Sequence, residues 1–306
     1  MKNTHVVVCI FGANQYQYYS HCQMRTLPLF HELKKHFSYC YFNPSESIIP
    51  KFQYKKFFII RIKLLPIPKH FLNLTNKFII WDIIDILQDT RESTLWKNQR
   101  FLTGYNMSDV LNCPNSKMQK VIENNNSEKK IITMIPHNWD SRIAKHYLKA
   151  KENEKLKTLK VGYLGTPNTK EEACCVKTSP YIVNLGRTIQ EKDIGTFNAC
   201  CSLRNADIAF GKPGTKSFVA ASLNSIIIAS KEEYNVVDLF GEDYPYYLVI
   251  QGKTVGERLQ KTIDYVVSTY KKEEWNKANE IMRSVRERTS IENIALQFKK
   301  LILDNV

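Results

Sequence analysis

A chain of 306 residues with 43% hydrophobic content is long enough to bury one large core or two of about 150 residues each. Apolar residues run through its whole length, the longest apolar runs are strand-length, and no Pro-, Ser- or Gly-rich stretch interrupts them, which excludes extended disorder and argues against a membrane span. The 44 basic against 30 acidic residues, +14 overall, favour an anionic partner such as a nucleotide, a phosphorylated lipid, a membrane surface or nucleic acid, although an ordinary solvated basic surface accounts for the same total. Eight cysteines without a CxxC spacing argue against a zinc site or a secreted disulfide framework and fit a reducing, cytoplasmic setting.

The opening residues carry one short apolar run and no small-residue cleavage site, so they read as a first strand and not as a signal peptide. A strand over residues 5–11 breaks at Gly12, and a helix over 25–36 follows with Leu27, Leu29, Phe30 and Leu33 on one face. Strands are predicted over 39–42, 57–62 and 77–82, a helical stretch from Asp85 to Trp96, a strand over 109–113, a helix over 116–123 and a last strand over 131–136. Residues 141–157 are charged, helical in pattern, and read as a connection. A second alternation then begins, with strands over 159–164, 181–184, 206–210, 225–229 and 246–250, and helices from Thr254 onward. This pattern predicts an α/β chain of two Rossmann-like, doubly wound domains, residues 1–150 and 151–306, with an interdomain cleft.

Open α/β sheets bind ligands outside the carboxyl ends of their strands, which directs attention to the loops after Phe11, Asp82, Pro136, Leu164 and Phe210. After Phe210 comes Gly211-Lys212-Pro213-Gly214-Thr215-Lys216, with Thr215 as the expected N-cap of a helix over 217–223. Helix-start N–H groups, two lysines and close backbone approach at the glycines suit a diphosphate; a plain turn with solvated lysines is the competing reading. The spacing is not that of a Walker A loop. Gly165 and Thr166 would let a phosphate or sugar lie against the main chain, and Arg187 is a further phosphate candidate. In the first half, the Gly12 loop with His21 and Arg25 could host an acceptor and a general base, Asp82 or Asp85 could be that base or a helix cap, and His137 is a substrate contact on the cleft floor or an ordinary loop histidine.

Several strings, in order, resemble the GT-B glycosyltransferase superfamily in the style of its family 4 and related groups. They are Trp81-Asp-Ile-Ile-Asp85, Ser108 to Ser116 followed by Met134 to Asp140, Lys160 to Thr166, Asn205 to Ala209, Lys212 to Lys216 and Ala220 to Ser230. The resemblance spans nearly the whole chain. It implies transfer of a sugar from a nucleotide-diphospho-sugar to a hydroxyl on a glycan, lipid-linked or protein acceptor, with the diphosphate at Gly165, Thr166, Lys212, Gly214, Thr215 and Lys216. No metal or other cofactor is implied, because lysines and a helix dipole would carry the leaving-group charge. No specific nucleic acid is expected, and a peripheral membrane contact through the basic N-terminal half is left open. The sequence departs from the pattern at Val219, where many retaining members carry a ribose-binding glutamate, and at Asn224 and Ile226. A non-hydrolysing nucleotide-sugar 2-epimerase and a catalytically inactive GT-B-like binding protein are the alternative readings.

Overall fold

The structure, a computed structural model, describes residues 2–12, 25–62, 66–84, 92–139, 156–186, 193, 195–203, 210 and 214–306, with Thr215 described in its backbone alone. It forms two compact units. The first holds residues 2–138 with Phe210 and Thr289–Val306, and the second holds residues from Trp139 up to Leu203 and Gly214–Arg288.

The first unit carries a six-stranded sheet, β1 (Asn3–Phe11), β2 (Phe37–Phe42), β3 (Lys56–Ile62), β4 (Lys77–Asp82), β5 (Val110–Asn112) and β6 (Ile131–Thr133), in the order β2-β1-β3-β4-β5-β6. Every pairing is parallel. A parallel sheet must be covered on both faces, and the strand residues sort accordingly. Val6, Val8 and Ile10 pack with Leu29 and Leu33 of α1 (Leu27–His36) and with Ile294 and Phe298 of α10 (Ile291–Leu303). Their alternates Val7, Cys9 and Phe11 pack on the other face with Phe57, Ile59 and Phe71, the last from the short α2 (Lys69–Leu72). A third cluster gathers Trp81, Leu111, Met118 of α4 (Ser116–Glu123), and Phe101 and Tyr105 of α3 (Gln99–Met107). The helix before β5 is therefore α3, and the expected stretch ending at Trp96 is, where described, a 3-10 turn over Glu92–Lys97. Asn98 supplies the stop and start: its side chain accepts from the N–H groups of Arg100 and Phe101.

The second unit has a four-stranded parallel sheet, β7 (Val161–Tyr163), β8 (Ile182–Asn184), β9 (Ala199–Cys201) and β10 (Ile226–Ile228), in the order β10-β9-β7-β8. Among the described residues its helices are α5 (Lys170–Thr178), α6 (Thr215–Ser222), α7 (Tyr234–Phe240), α8 (Val255–Thr269) and α9 (Glu273–Arg288). Threonine side chains cap α5 and α8, where Thr169 and Thr254 accept from the N–H groups of Glu172 and Glu257.

Two expectations are corrected, and a third falls almost wholly outside the described residues. Residues 246–250 do not form a strand: one isolated parallel bridge joins Ala229 to Tyr247, and the Val249 N–H is taken by the Thr262 hydroxyl. The central strand β9 consists of Ala199, Cys200 and Cys201, whereas the strand expected over 206–210 falls almost wholly outside the described residues. The last helix α10 belongs with the first unit, not the second, because Ile291, Ile294, Phe298 and Ile302 complete the cluster around β1 and α1. Among the described residues no helix is long and apolar enough to cross a membrane.

Candidate functional site

In the second unit, the carboxyl ends of β7, β8 and β9 converge with the start of α6. Gly165 follows β7 at φ +115°, a conformation that side chains resist, and its N–H donates to the carbonyl of Gly186, itself at φ +65° after β8. Leu164 N–H donates to Cys201 O at the end of β9 (2.8 Å). α6 starts at Thr215 itself, so Gly214 is the N-cap and supplies no side-chain bond, which corrects the expected Thr215 cap. The helix opens with the Gly214 carbonyl accepting from Ser217 (2.8 Å) and Phe218 (3.2 Å), which sets the helix start beside the β7 turn.

Lys216 turns back from this helix start to the β7 turn. A methyl group built on Gly165 would stand 2.5 Å from Lys216 Nζ and 3.2 Å from its Cε, so the ammonium occupies the space that the glycine leaves. Gly165 and Lys216, 51 positions apart and both expected from sequence at a phosphate, thus meet at one point. Lys216 also acts on the Cys201 thiol. Burial and Glu172 push that thiol well above its ordinary value, while the ammonium pulls against them.

The β7 turn is held from beneath by a carboxylate that sequence reading did not single out. Glu172 is fully buried in the first turn of α5; it accepts the Tyr163 hydroxyl at one oxygen and the Asn168 N–H at the other (2.6 Å). Asn168 in turn donates from Nδ2 to Leu203 O (3.1 Å), tying the turn to the chain after β9. Both ends of Gly165-Thr166-Pro167 are therefore fixed by Glu172. Burial, then the Glu172 hydrogen bond, hold the Tyr163 phenol protonated far above its usual range, and Glu233 adds to the shift. Glu233 occupies the N-cap position of α7 without a side-chain capping bond and is buried, as is Asn235, whose side-chain amide lies 3.2 Å from where a Gly214 methyl would be. Ser202, just after β9, has a buried hydroxyl with no hydrogen-bond partner among the described residues. The signal for Glu172, Glu233 and Asn235 was faint, since acidic and amide residues at helix starts are ordinary caps.

In the first unit, the sequence-predicted residues Arg25 and Asp82 meet each other. Arg25 Nε donates to Asp82 Oδ2 (2.9 Å) and Nη2 approaches Oδ1 (3.4 Å), with both residues 1% exposed. Arg25 Nη1 donates to Pro136 O (3.0 Å), and its guanidinium lies 5.1 Å from the centre of the Phe298 ring. Asn112 completes the group, donating to Asp82 Oδ1 (2.6 Å) and Ile135 O (3.0 Å) while accepting from Ile135 N–H (2.6 Å). Asp82, expected as a possible base or helix cap, and Arg25, expected near an acceptor, are here a buried charge pair that joins the start of α1, the ends of β4 and β5 and residues 135–136. Gly12 serves a close approach, because any methyl there would overlap the Thr26 side chain, and Asn43 brackets its peptide with two hydrogen bonds (3.0 and 2.9 Å). His137 is buried and donates from Nδ1 to Asn138 O (2.6 Å). His21, Asp85, Arg187 and Lys212 lie outside the described residues, as does the side chain of Thr215, while Thr166 is described at the β7 turn. Among the described residues no group of three or more His, Cys, Asp or Glu side chains is arranged to hold a metal ion.

No protein-family model matches the chain. No curated protein matches it in sequence either. Solved structures do match in three dimensions. Anabaena HepE in complex with UDP superposes with a TM-score of 0.59 at 9% identity, over 98% of this chain and 100% of that one. The DNA modifying enzyme β-glucosyltransferase matches at 0.51 and 11% identity, over 96% and 99%. The pneumococcal O-GlcNAc transferase GtfA, solved with UDP and GlcNAc, matches at 0.52 and 13% identity, over 85% of this chain and 59% of that one. What these proteins share with the present chain is the fold, an α/β architecture with two parallel-stranded units as in GT-B glycosyltransferase structures.

Proposed function

We propose that this chain binds a nucleotide-diphospho-sugar on its second unit and transfers the sugar to a hydroxyl acceptor without a metal ion. The observation that carries the reading is the meeting of Lys216 Nζ with the Gly165 turn at the start of α6. A diphosphate laid there would receive N–H groups from the first turn of α6, the partial positive charge of the helix and one ammonium. When the glycosidic bond to the diphosphate breaks, negative charge grows on the departing oxygen. Donors already oriented by Glu172 and by the helix would stabilise that charge with little reorganisation. The HepE structures that share the fold hold UDP and UDP-glucose, which makes uridine diphosphate sugars the first donors to try.

The acceptor is proposed to bind the first unit, with His21, Asp85 and His137 as the groups left to take its proton now that Asp82 is committed to Arg25. The same commitment favours a second reading, in which the chain binds a nucleotide sugar without turning it over. A thermal-shift panel of nucleotide diphosphates and their sugars, with chelator present, tests the binding step. Transfer and hydrolysis assays on the stabilising compound then separate the two readings. The proposal predicts stabilisation by at least one nucleotide diphosphate that is lost in Lys216→Ala; no stabilisation of the wild type by any member of the panel contradicts it.

A further inference from the structure

Residues 37–81 contain seven Lys or Arg and a single acidic residue, Glu46, which is engaged by His70. The one arginine described in that stretch, Arg61, is buried in β3, so its solvent-facing cations are lysines. The fold gathers several of them at one place, the amino-terminal edge of the first unit's sheet. Lys2 precedes β1, Lys56 opens β3 opposite Val6, and Lys77 opens β4 opposite Phe57. Lys55 donates to Thr4 O (2.7 Å), and Lys77 donates to Leu74 O (2.8 Å). Asn76 bonds both Gln53 O (3.3 Å) and Lys55 O, which clamps the turn carrying Lys51 and Tyr54 onto the same edge. Lys2, Lys51, Lys55, Lys56 and Lys77 make no ion pair among the described residues.

Tyr54 stands at the tip of this turn with 93% of its surface exposed, while Phe52 beside it packs against Tyr39 and Tyr41. The lysines lie against aromatic rings as well, with Lys55 Nζ 5.2 Å from the Tyr39 ring centre and Lys56 Nζ 5.4 and 5.3 Å from those of Phe58 and Phe78. Lys2 and Lys51 are exposed, while Lys55, Lys56 and Lys77 are half-buried and held at the surface by backbone carbonyls, a mixture of free and anchored ammonium groups that suits a headgroup boundary. An exposed tyrosine among them has the amphipathic ring favoured at that depth.

We infer that this edge docks the protein on an anionic lipid surface. Uncompensated point charges suit a diffuse layer of lipid phosphates, whereas nucleic-acid recognition draws on the planar fork of arginine, which this edge does not present among its described, solvent-facing residues. The edge lies at the end of the sheet opposite the carboxyl-terminal loops, so docking leaves those loops uncovered. The inference does not depend on the donor-site reading.

Flotation with phosphatidylcholine vesicles, and with vesicles that also contain phosphatidylglycerol, tests it on the full chain. Binding should require the anionic lipid and weaken with added salt. Lys2→Glu/Lys51→Glu should lower the partition coefficient by about tenfold or more. Lys272→Glu/Lys277→Glu, an equal charge change on the second unit, should leave it near wild type, with unfolding midpoints checked for all variants. Equal binding to neutral vesicles, equal losses in both double variants, or displacement from anionic vesicles by polynucleotide with loss of polynucleotide binding in Lys2→Glu/Lys51→Glu would each overturn it.

Discussion

Replacing Gly165 by alanine perturbs the candidate site where Lys216 meets the β7 turn. The backbone there sits at φ +115°, and holding a residue with a Cβ in such a region costs about 1–3 kcal/mol. The new methyl would also start 2.5 Å from Lys216 Nζ, which a flexible side chain relieves by moving away. Two consequences can be measured. Thermal unfolding should lose about 2–4 °C for each kcal/mol of strain. Nucleotide diphosphate affinity should fall by about ten- to a hundredfold, the equivalent of one charge-assisted hydrogen bond worth about 1.5–3 kcal/mol. Calorimetric titration of wild type, Gly165→Ala, Lys216→Ala and the double variant closes the cycle. Because the alanine acts through the ammonium, the double variant should bind no more weakly than Lys216→Ala alone. Fully additive losses, or an unchanged affinity in Gly165→Ala, would refute the idea that the glycine exists to admit Lys216.

Asp82→Asn leaves the buried Arg25 guanidinium uncompensated and should cost about 3–5 kcal/mol in urea unfolding; unchanged stability with abolished turnover would return Asp82 to a chemical role. Gly104→Ala drives a methyl into the buried Trp81 ring and should destabilise by about 1–3 kcal/mol, so a neutral result would show that α3 can slide on β4. Burial first, and Lys299 second, lower the His36 pKa below its ordinary 6.5. The unfolded chain then takes up a proton that the folded chain refuses, so stability is complete above 6.5 and declines as pH falls through 6.5 toward the folded value. Lys299→Gln should raise the pKa read from the His36 ring resonances. Titration of the wild-type ring at its ordinary value would contradict this.

What the sequence made legible follows strand chemistry. The runs that became β1, β3 and β4 are long, β-branched or aromatic and buried on both faces, and no helix pattern competes with them. β9 was missed because Ala199-Cys200-Cys201 has little strand propensity, and only its central place in the sheet makes it a strand. The opposite error came from 246–250, where the tyrosines are attractive strand formers but their hydroxyls are used in side-chain bonds: the Tyr246 hydroxyl meets Thr269 and Tyr247 donates to Gly241 O. α3 was hidden by Gly104, a poor helix residue kept for the sake of Trp81.

At the candidate site, Gly165 and Lys216 were singled out as a glycine and a lysine beyond strand or loop ends of an open sheet, and the fold brings the two side by side. The carboxylates were harder to read. Asp82 looked reactive because it ends a buried strand, yet the same burial is why it is matched to Arg25. Glu172 looked like a cap residue, and its other work depends on Tyr163 and Asn168, contacts that exist only after β7 turns.

Titration of UDP and other nucleoside diphosphates into the chelator-treated protein, followed by calorimetry on wild type and Lys216→Ala, measures the central claim. Wild type should bind at least one of them with no divalent ion present, and Lys216→Ala should bind it about tenfold or more weakly. Wild type that binds none, or a variant that binds as well as wild type, would contradict a diphosphate site at Gly165 and the start of α6.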